Sequence, residues 1–97
     1  MVHVLDVIDR TGRRIYLPEP RWKHIAAKHP DVATKLYEIE NALRFPTTIL
    51  PQELDKTKHD YYLRRKASGD YLVVVVKYLN GTGYVLTAFR TRKLYRT

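Results

Sequence analysis

Two histidines five residues apart, His24 and His29, are the first residues in this chain with chemistry to offer. Imidazole is the side chain whose ordinary pKa lies nearest neutrality, so a pair can take a proton from one oxygen and give one to another. Metal-free cleavage of a phosphodiester in RNA needs those two transfers: a base for the ribose 2′-hydroxyl and an acid for the departing oxygen. A cation must then answer the charge that builds on the phosphorane. Lys77, Arg64 and Arg90 are candidates for that role, and Thr87 can donate to a phosphate oxygen. Tyr62 beside Arg64 and Arg65 suits stacking on unpaired bases, with Lys28 as a further nucleic-acid contact.

Each of these residues also has an ordinary role to be weighed. On a helical wheel Trp22, Ile25, Ala26 and His29 share one face, while His24 and Lys28 lie opposite. There His29 would cap carbonyls or complete the core, and His24 would be solvated. Lys77 would mark the end of a strand, Thr87 would be a strand former, and Arg64-Arg65-Lys66 would approach a turn through water. Trp22 reads as core. Other chemistries lack their residues. There is no glycine-rich phosphate loop, no GxSxG elbow and no cysteine nucleophile. The histidine spacing is not the one that places two metal ligands on one helix face, and Glu38, Glu40, Glu53 and Asp55 do not form a two-metal cluster. No metal and no cofactor is expected.

The element that must hold these side chains is the run Asp70 to Tyr78, with four consecutive valines before Lys77. It is too β-branched to favour a helix and too short to span a bilayer, so it reads as the central strand of a sheet. Val2 to Ile8 and Arg13 to Leu17, joined by Asp9-Arg10-Thr11-Gly12, read as an N-terminal hairpin. Pro18 and Pro20 precede a helix over Arg21 to His29, stopped by Pro30. Val32, Leu36, Ile39 and Leu43 stripe a second helix over Asp31 to Arg44, stopped by Pro46. Strands follow at Thr47 to Leu50, Tyr61 to Arg65 and Tyr84 to Thr91. The expected fold is α+β: the hairpin, then two helices packed on one face of a roughly four-stranded antiparallel sheet.

Register follows from the turns. A two-residue Asn80-Gly81 turn with two positive φ angles sets Lys77 opposite Tyr84 and Val74 opposite Thr87. One face then carries Val73, Val75, Lys77, Tyr84, Leu86, Ala88 and Arg90. The other carries Leu72, Val74, Val76, Val85, Thr87 and Phe89. A three-residue Ala67-Ser68-Gly69 loop would put Tyr62 and Arg64 on the Thr87 face, and a loop one residue different would reverse them. Lys77 and Thr87 are thus expected on opposite faces, sharing a pocket only if a bulge intervenes.

At 97 residues with 44% hydrophobic composition, the chain is expected to be a single domain over 1–97. The absence of cysteine excludes disulfides and thiolate metal sites. A formal charge of +8 favours polyanionic partners. No basic amphipathic anchor, signal sequence or spanning segment is visible, so a cytoplasmic protein with no membrane partner is expected. Single-stranded RNA or tRNA is the expected partner. A non-catalytic nucleic-acid-binding module and a module binding an acidic, antitoxin-like protein are the alternatives.

Asp9-x-Thr11-Gly12, Trp22-Lys23-His24-Ile25 with His29-Pro30, Tyr61-Tyr62, Leu72 to Lys77, and Thr87-Ala88-Phe89 occur in that order. The series resembles small phage- and prokaryote-associated proteins of the barnase–EndoU–colicin–RelE superfamily of ribonucleases, over nearly the whole chain. The resemblance implies one or two N-terminal helices on a four-stranded antiparallel sheet and a metal-independent endoribonuclease, of a kind that is often a toxin. It also implies a site made of a helix-borne histidine (His24 or His29), a basic residue of a central strand (Arg64 or Lys77) and Thr87. Phe89 and Arg90 depart from the pattern, standing where a tyrosine and a small or polar residue are the rule.

Overall fold

The valine run forms a strand buried on both of its faces, and the rest of the domain is arranged to cover it. In the computed structural model, which describes residues 3–32 and 36–93, the elements are β1 (His3–Ile8), β2 (Arg14–Pro18), α1 (Glu19–Lys28) and α2 (Leu36–Arg44). Then come β3 (Thr48–Pro51), β4 (Lys58–Arg64), β5 (Tyr71–Tyr78) and β6 (Thr82–Thr91). The strands form one sheet in the order β1-β2-β6-β5-β4-β3. β5 therefore lies inside the sheet, where β-branched side chains pack well on a pleated surface. The α+β class holds, but the sheet has six strands and is mixed. The N-terminal hairpin joins it through a short parallel pairing of Arg14–Tyr16 with Thr82–Tyr84.

On one face Leu72, Val74 and Val76 meet Ile15, Leu17, Val85, Ala88 and Tyr61, and both helices close over them with Ile25, Ile39, Ala42 and Leu43. Fully burying side chains of this size contributes roughly 1.5–3 kcal/mol each. The opposite face holds a second cluster of Tyr62, Val73 and Val75, packed by Leu50, Tyr71, Leu86 and Phe89. No residue of either helix belongs to it. Val73 is nevertheless buried because Tyr62 and Phe89 flank it on the neighbouring strands. This second face is called the open face below.

Two registers differ from expectation, each for a local reason. Lys77 does face Tyr84, and Leu79 N–H donates to Thr82 O at 2.7 Å. Only Gly81 takes a positive φ, however, so Asn80 does not adopt the left-handed conformation expected of it. Beyond Val76 the pairing slips: Val75 faces Thr87 and Val74 faces Ala88, leaving Leu86 as the extra residue of a bulge. Side chains past a bulge change face. Thr87 and Phe89 consequently lie on the open face with Lys77, whereas Ala88 and Arg90 lie on the helix face. The β4–β5 connection is also one residue longer than a three-residue loop, spanning Lys66 to Gly69 with Arg65 N–H donating to Asp70 O at 2.8 Å. It turns Tyr62 and Arg64 toward Val73 and Tyr71, which again is the open face.

α1 begins at once after β2, with Pro18 as its N-cap and Pro20 in the first turn, where a missing N–H costs nothing. It ends at Lys28, one residue earlier than expected. His29 is the C-cap, outside helical φ and ψ, its N–H donating to Ile25 O at 2.7 Å. Asp31 and Val32 form a turn rather than the start of the second helix, part of whose expected N-terminal stretch lies outside the described residues. Neither helix is long and apolar enough to cross a membrane.

The β1–β2 turn is fastened to the core by one carboxylate. Asp9 Oδ1 accepts from Thr11 N at 2.9 Å, Thr11 Oγ1 at 2.7 Å and Arg13 N at 2.9 Å. Gly12 supplies the positive φ. Asp9 Oδ2 accepts the hydroxyl of Tyr61, fifty-two residues away, although Asp9 is only 5% exposed. Arg10 N–H caps Leu43 O of α2 at 2.9 Å, so the same turn holds the second helix.

Candidate active site

The direct β2–α1 junction determines where the first histidine goes. β2 runs parallel to β6 only as far as Tyr84, and the chain then continues as α1, which packs on β6 and β2. Along that seam His24, Arg21, Pro18, Pro20 and Tyr84 line an open groove of about 390 Å³. His29 meets the same strand further on, its ring 6.2 Å from that of Phe89. The wheel had set these histidines on opposite sides of one helix. His29 has left the helix, so its direction is no longer governed by the 3.6-residue period, and its ring meets Phe89 of β6 while His24 shares a groove with Tyr84. Thr87 lies between their two contacts.

Lys77 adjoins this region as the cross-strand partner of Tyr84. Thr87 faces Val75, two positions before Lys77, so Lys77 and Thr87 share the open face across the bulge. The ammonium of Lys77 is engaged, donating to Asp55 Oδ2 at 3.2 Å and to Thr57 Oγ1. The Thr57 hydroxyl, the Thr57 N–H and then Lys77 together hold the Asp55 carboxyl down at a pKa of about 2. Lys77 thus carries its own counter-ion in the β3–β4 loop.

The expected nucleic-acid contacts divide into two groups. Lys28 and Arg64 are exposed and form no ion pair among the described residues; the Arg64 N–H donates to Thr47 Oγ1 at 2.9 Å. Tyr62 is 1% exposed, wedged edge-on to Tyr71 with ring centroids 6.0 Å apart, and presents no face to a base. Arg65 is held between Glu38 at 3.6 Å and Asp70 at 3.8 Å. Arg90 donates to Asp70 Oδ2 from Nε at 2.8 Å and Nη2 at 2.6 Å, and reaches Asp31 at 3.9 Å. Burial pushes the Asp70 carboxyl up, but the Ser68 hydroxyl and the Arg90 and Arg65 guanidiniums outweigh it and leave its pKa below the usual range. Arg65 and Arg90 are therefore structural straps. They tie α2, the β4–β5 turn and the end of β6 together, and the bulge is the reason Arg90 is there.

No family model, curated protein or solved structure matches this chain. What its site can do is therefore read from its own residues.

Two groupings escaped the sequence reading. The first is a ladder of rings on the open face: His3 stacks on Tyr16 at 4.6 Å, and Tyr16 on Tyr84 at 6.1 Å. Tyr16 stands between the buried Ile15 and Leu17, and that alternation marks it as facing away from the helices. The parallel β2–β6 pairing that carries it to Tyr84 has no local signal. The second lies around Tyr78 at the end of the sheet. Tyr61 donates to Asp9, so the contact between the Tyr61 and Tyr78 hydroxyls must have Tyr78 as donor. The Arg13 guanidinium lies 4.2 Å from the Tyr78 ring centroid, and the His59 ring 4.4 Å from it. Burial, and then the charge of Arg13, pushes the His59 pKa down, while Asp60 opposes them. The His59 Nδ1 atom is buried without a partner.

Proposed function

We propose that this chain is a small, metal-independent endoribonuclease-like domain that acts on single-stranded RNA by attack of the 2′-hydroxyl, leaving a cyclic phosphate. The observation that carries the reading is the Leu86 bulge, which turns Thr87 to the face of Lys77 on the strand that supplies Tyr84 to the His24 groove and Phe89 to His29. His24 and His29 are assigned the two proton transfers, one on the 2′-hydroxyl and the other on the departing 5′-oxygen. Thr87 donates to a non-bridging oxygen, and Lys77, drawn from Asp55, answers the phosphorane charge. Lys28 and Arg64 supply phosphate contacts at the margins. The order of motifs, which resembles the barnase–EndoU–colicin–RelE ribonucleases, supports the same assignment, and with it a toxin role.

The test is cleavage of 5′-labelled single-stranded RNA by the purified protein in EDTA. Expected are 2′,3′-cyclic phosphate ends, no cutting of the all-deoxy strand, and a loss of roughly 10²–10⁴-fold in His24→Ala or His29→Ala, the usual worth of a general acid or base. Cutting that persists in the double histidine variant refutes the site. One observation favours a second reading, a non-catalytic nucleic-acid-binding module: Lys77 is already neutralised by Asp55. That reading predicts steeply salt-dependent RNA binding with no product. Tight binding to an acidic protein, with no affinity for RNA, would instead make the chain a protein-interaction module.

A further inference from the structure

We infer that the groove between α1 and β6 is a pocket for one unpaired nucleotide, its base stacked on Tyr84 and its phosphate met by Arg21. The inference rests on the RNA reading above and deepens it. Its starting point is the shape and lining of the groove. At about 390 Å³ it lies at the small end of the roughly 300–1,000 Å³ range of small-ligand sites, room for one nucleotide but not for a base pair in its stack.

The lining is of the right kinds. Pro18 and Pro20 form a wall with no backbone N–H to desolvate, and Pro18 is fixed at φ −65° as the N-cap of α1. Tyr84 provides an aromatic wall. Its ring is backed by Tyr16 at 6.1 Å, and Tyr16 in turn by His3 at 4.6 Å, so little freedom remains for a base to remove on binding. Arg21 and His24 supply the polar groups. Arg21 forms no ion pair among the described residues, unlike Arg14, Arg44, Arg65 and Arg90, each of which has a carboxylate. A lone guanidinium at the rim of a proline- and tyrosine-walled groove fits a phosphate joined to a flat base. It fits a purely apolar occupant poorly.

A base must leave its duplex to enter, which commits the substrate to single-stranded RNA, the form in which base faces are accessible. The nucleotide in the groove would be anchored beside His24, with the next phosphate directed along β6 toward Thr87.

Adenosine and uridine 5′-monophosphates, titrated into labelled protein and followed by amide and aromatic resonances, test the inference. Shifts are expected at Tyr84, Tyr16, Arg21 and His24. Tyr84→Leu keeps a strand-compatible apolar side chain but removes the π face, and should weaken nucleotide binding roughly 5- to 150-fold, while Tyr84→Phe should retain it. Arg21→Ala removes the half-buried guanidinium from the groove and changes no residue of the sheet. It should weaken the monophosphates and leave adenosine itself unchanged. Binding undiminished in Tyr84→Leu, inorganic phosphate as effective as the nucleotides, or shifts confined to β4 and β5 around Tyr62 and Val73 would each overturn the pocket. A proline-rich peptide occupying the groove in place of nucleotides would overturn it too. Nucleotide binding here without cleavage of RNA sinks the catalytic reading and leaves the pocket standing. Cleavage unaffected by Tyr84→Leu, with no nucleotide bound, does the reverse.

Discussion

Tyr61→Phe removes one oxygen atom from the core and tests whether the Asp9 turn is fastened as the geometry implies. That hydroxyl is the only donor to Asp9 Oδ2 among the described residues, and it also accepts from Tyr78. Asp9 is 5% exposed, so water cannot easily replace the lost donor. Hydrogen bonds to charged groups contribute about 1.5–3 kcal/mol, and an unpaired buried acceptor keeps its full desolvation cost. A loss of about 2–3 kcal/mol is therefore expected, which for a domain of this size lowers Tm by roughly 10–20 °C. Urea unfolding of Tyr61→Phe, Asp9→Asn and the double variant at pH 7 measures it. The cycle should give a coupling of at least about 1 kcal/mol, because the two residues share the Tyr61–Asp9 bond. Burial, then the bonds to Asp9 and Tyr78, pushes the Tyr61 hydroxyl pKa far above the ordinary tyrosine range. One tyrosine should thus resist alkaline titration until the chain unfolds. A loss under about 0.5 kcal/mol, or two additive single effects, would refute the fastening.

Four further outcomes follow from three sites. A Cβ on Gly83 would lie 2.9 Å from Ile15 Cδ1 and 2.9 Å from the backbone oxygen of Lys77, so Gly83→Ala should cost about 1–3 kcal/mol in thermal unfolding. Asp55→Asn removes the counter-ion of Lys77, and RNA binding should strengthen with a salt slope steeper by about 0.7, the value of one phosphate contact on a single strand. The lowered Asp55 pKa stabilises the fold above the ordinary carboxylate range, and that contribution fades as pH falls from about 4 to about 2; Asp55→Asn should abolish this part of the acid transition. The His59 pKa is lowered, so the unfolded chain takes up this proton first. Stability should fall as pH drops below about 6.5, and His59→Gln should flatten the profile there.

All six strands and both helices were legible in the sequence, and the reasons are local. The valine run, the Pro18/Pro20 and Pro30 boundaries and the Leu36, Ile39, Leu43 stripe each act within a few residues. What was not legible is how the hairpin joins the sheet. A parallel contact of three residues between β2 and β6 is made over nearly seventy residues of chain, and neither strand has a pattern that names its partner. That both helices pack on one face was expected; what covers the other face was not legible. Val73 and Val75 are as apolar as Val74 and Val76, yet they are covered by Tyr62, Tyr71, Phe89 and Leu86 rather than by a helix.

The site shows where periodicity stops being a guide. Strict alternation separated Lys77 from Thr87 and joined Lys77 to Arg90. One extra residue, Leu86, reverses both relations, leaving Arg90 to clasp Asp70 and Thr87 to face outward. The helical wheel separated His24 from His29 in the same way, and one residue past the end of α1 His29 is free to meet Phe89 of β6. These breaks in period occur along a single seam, where β2 gives way to α1 beside β6. The bulge turns Arg90 to its clasp on Asp70, and Pro30 ends the helix that His29 caps. Under the proposed function, the same two breaks set Thr87 on the face of Lys77 and free His29 from the helical period.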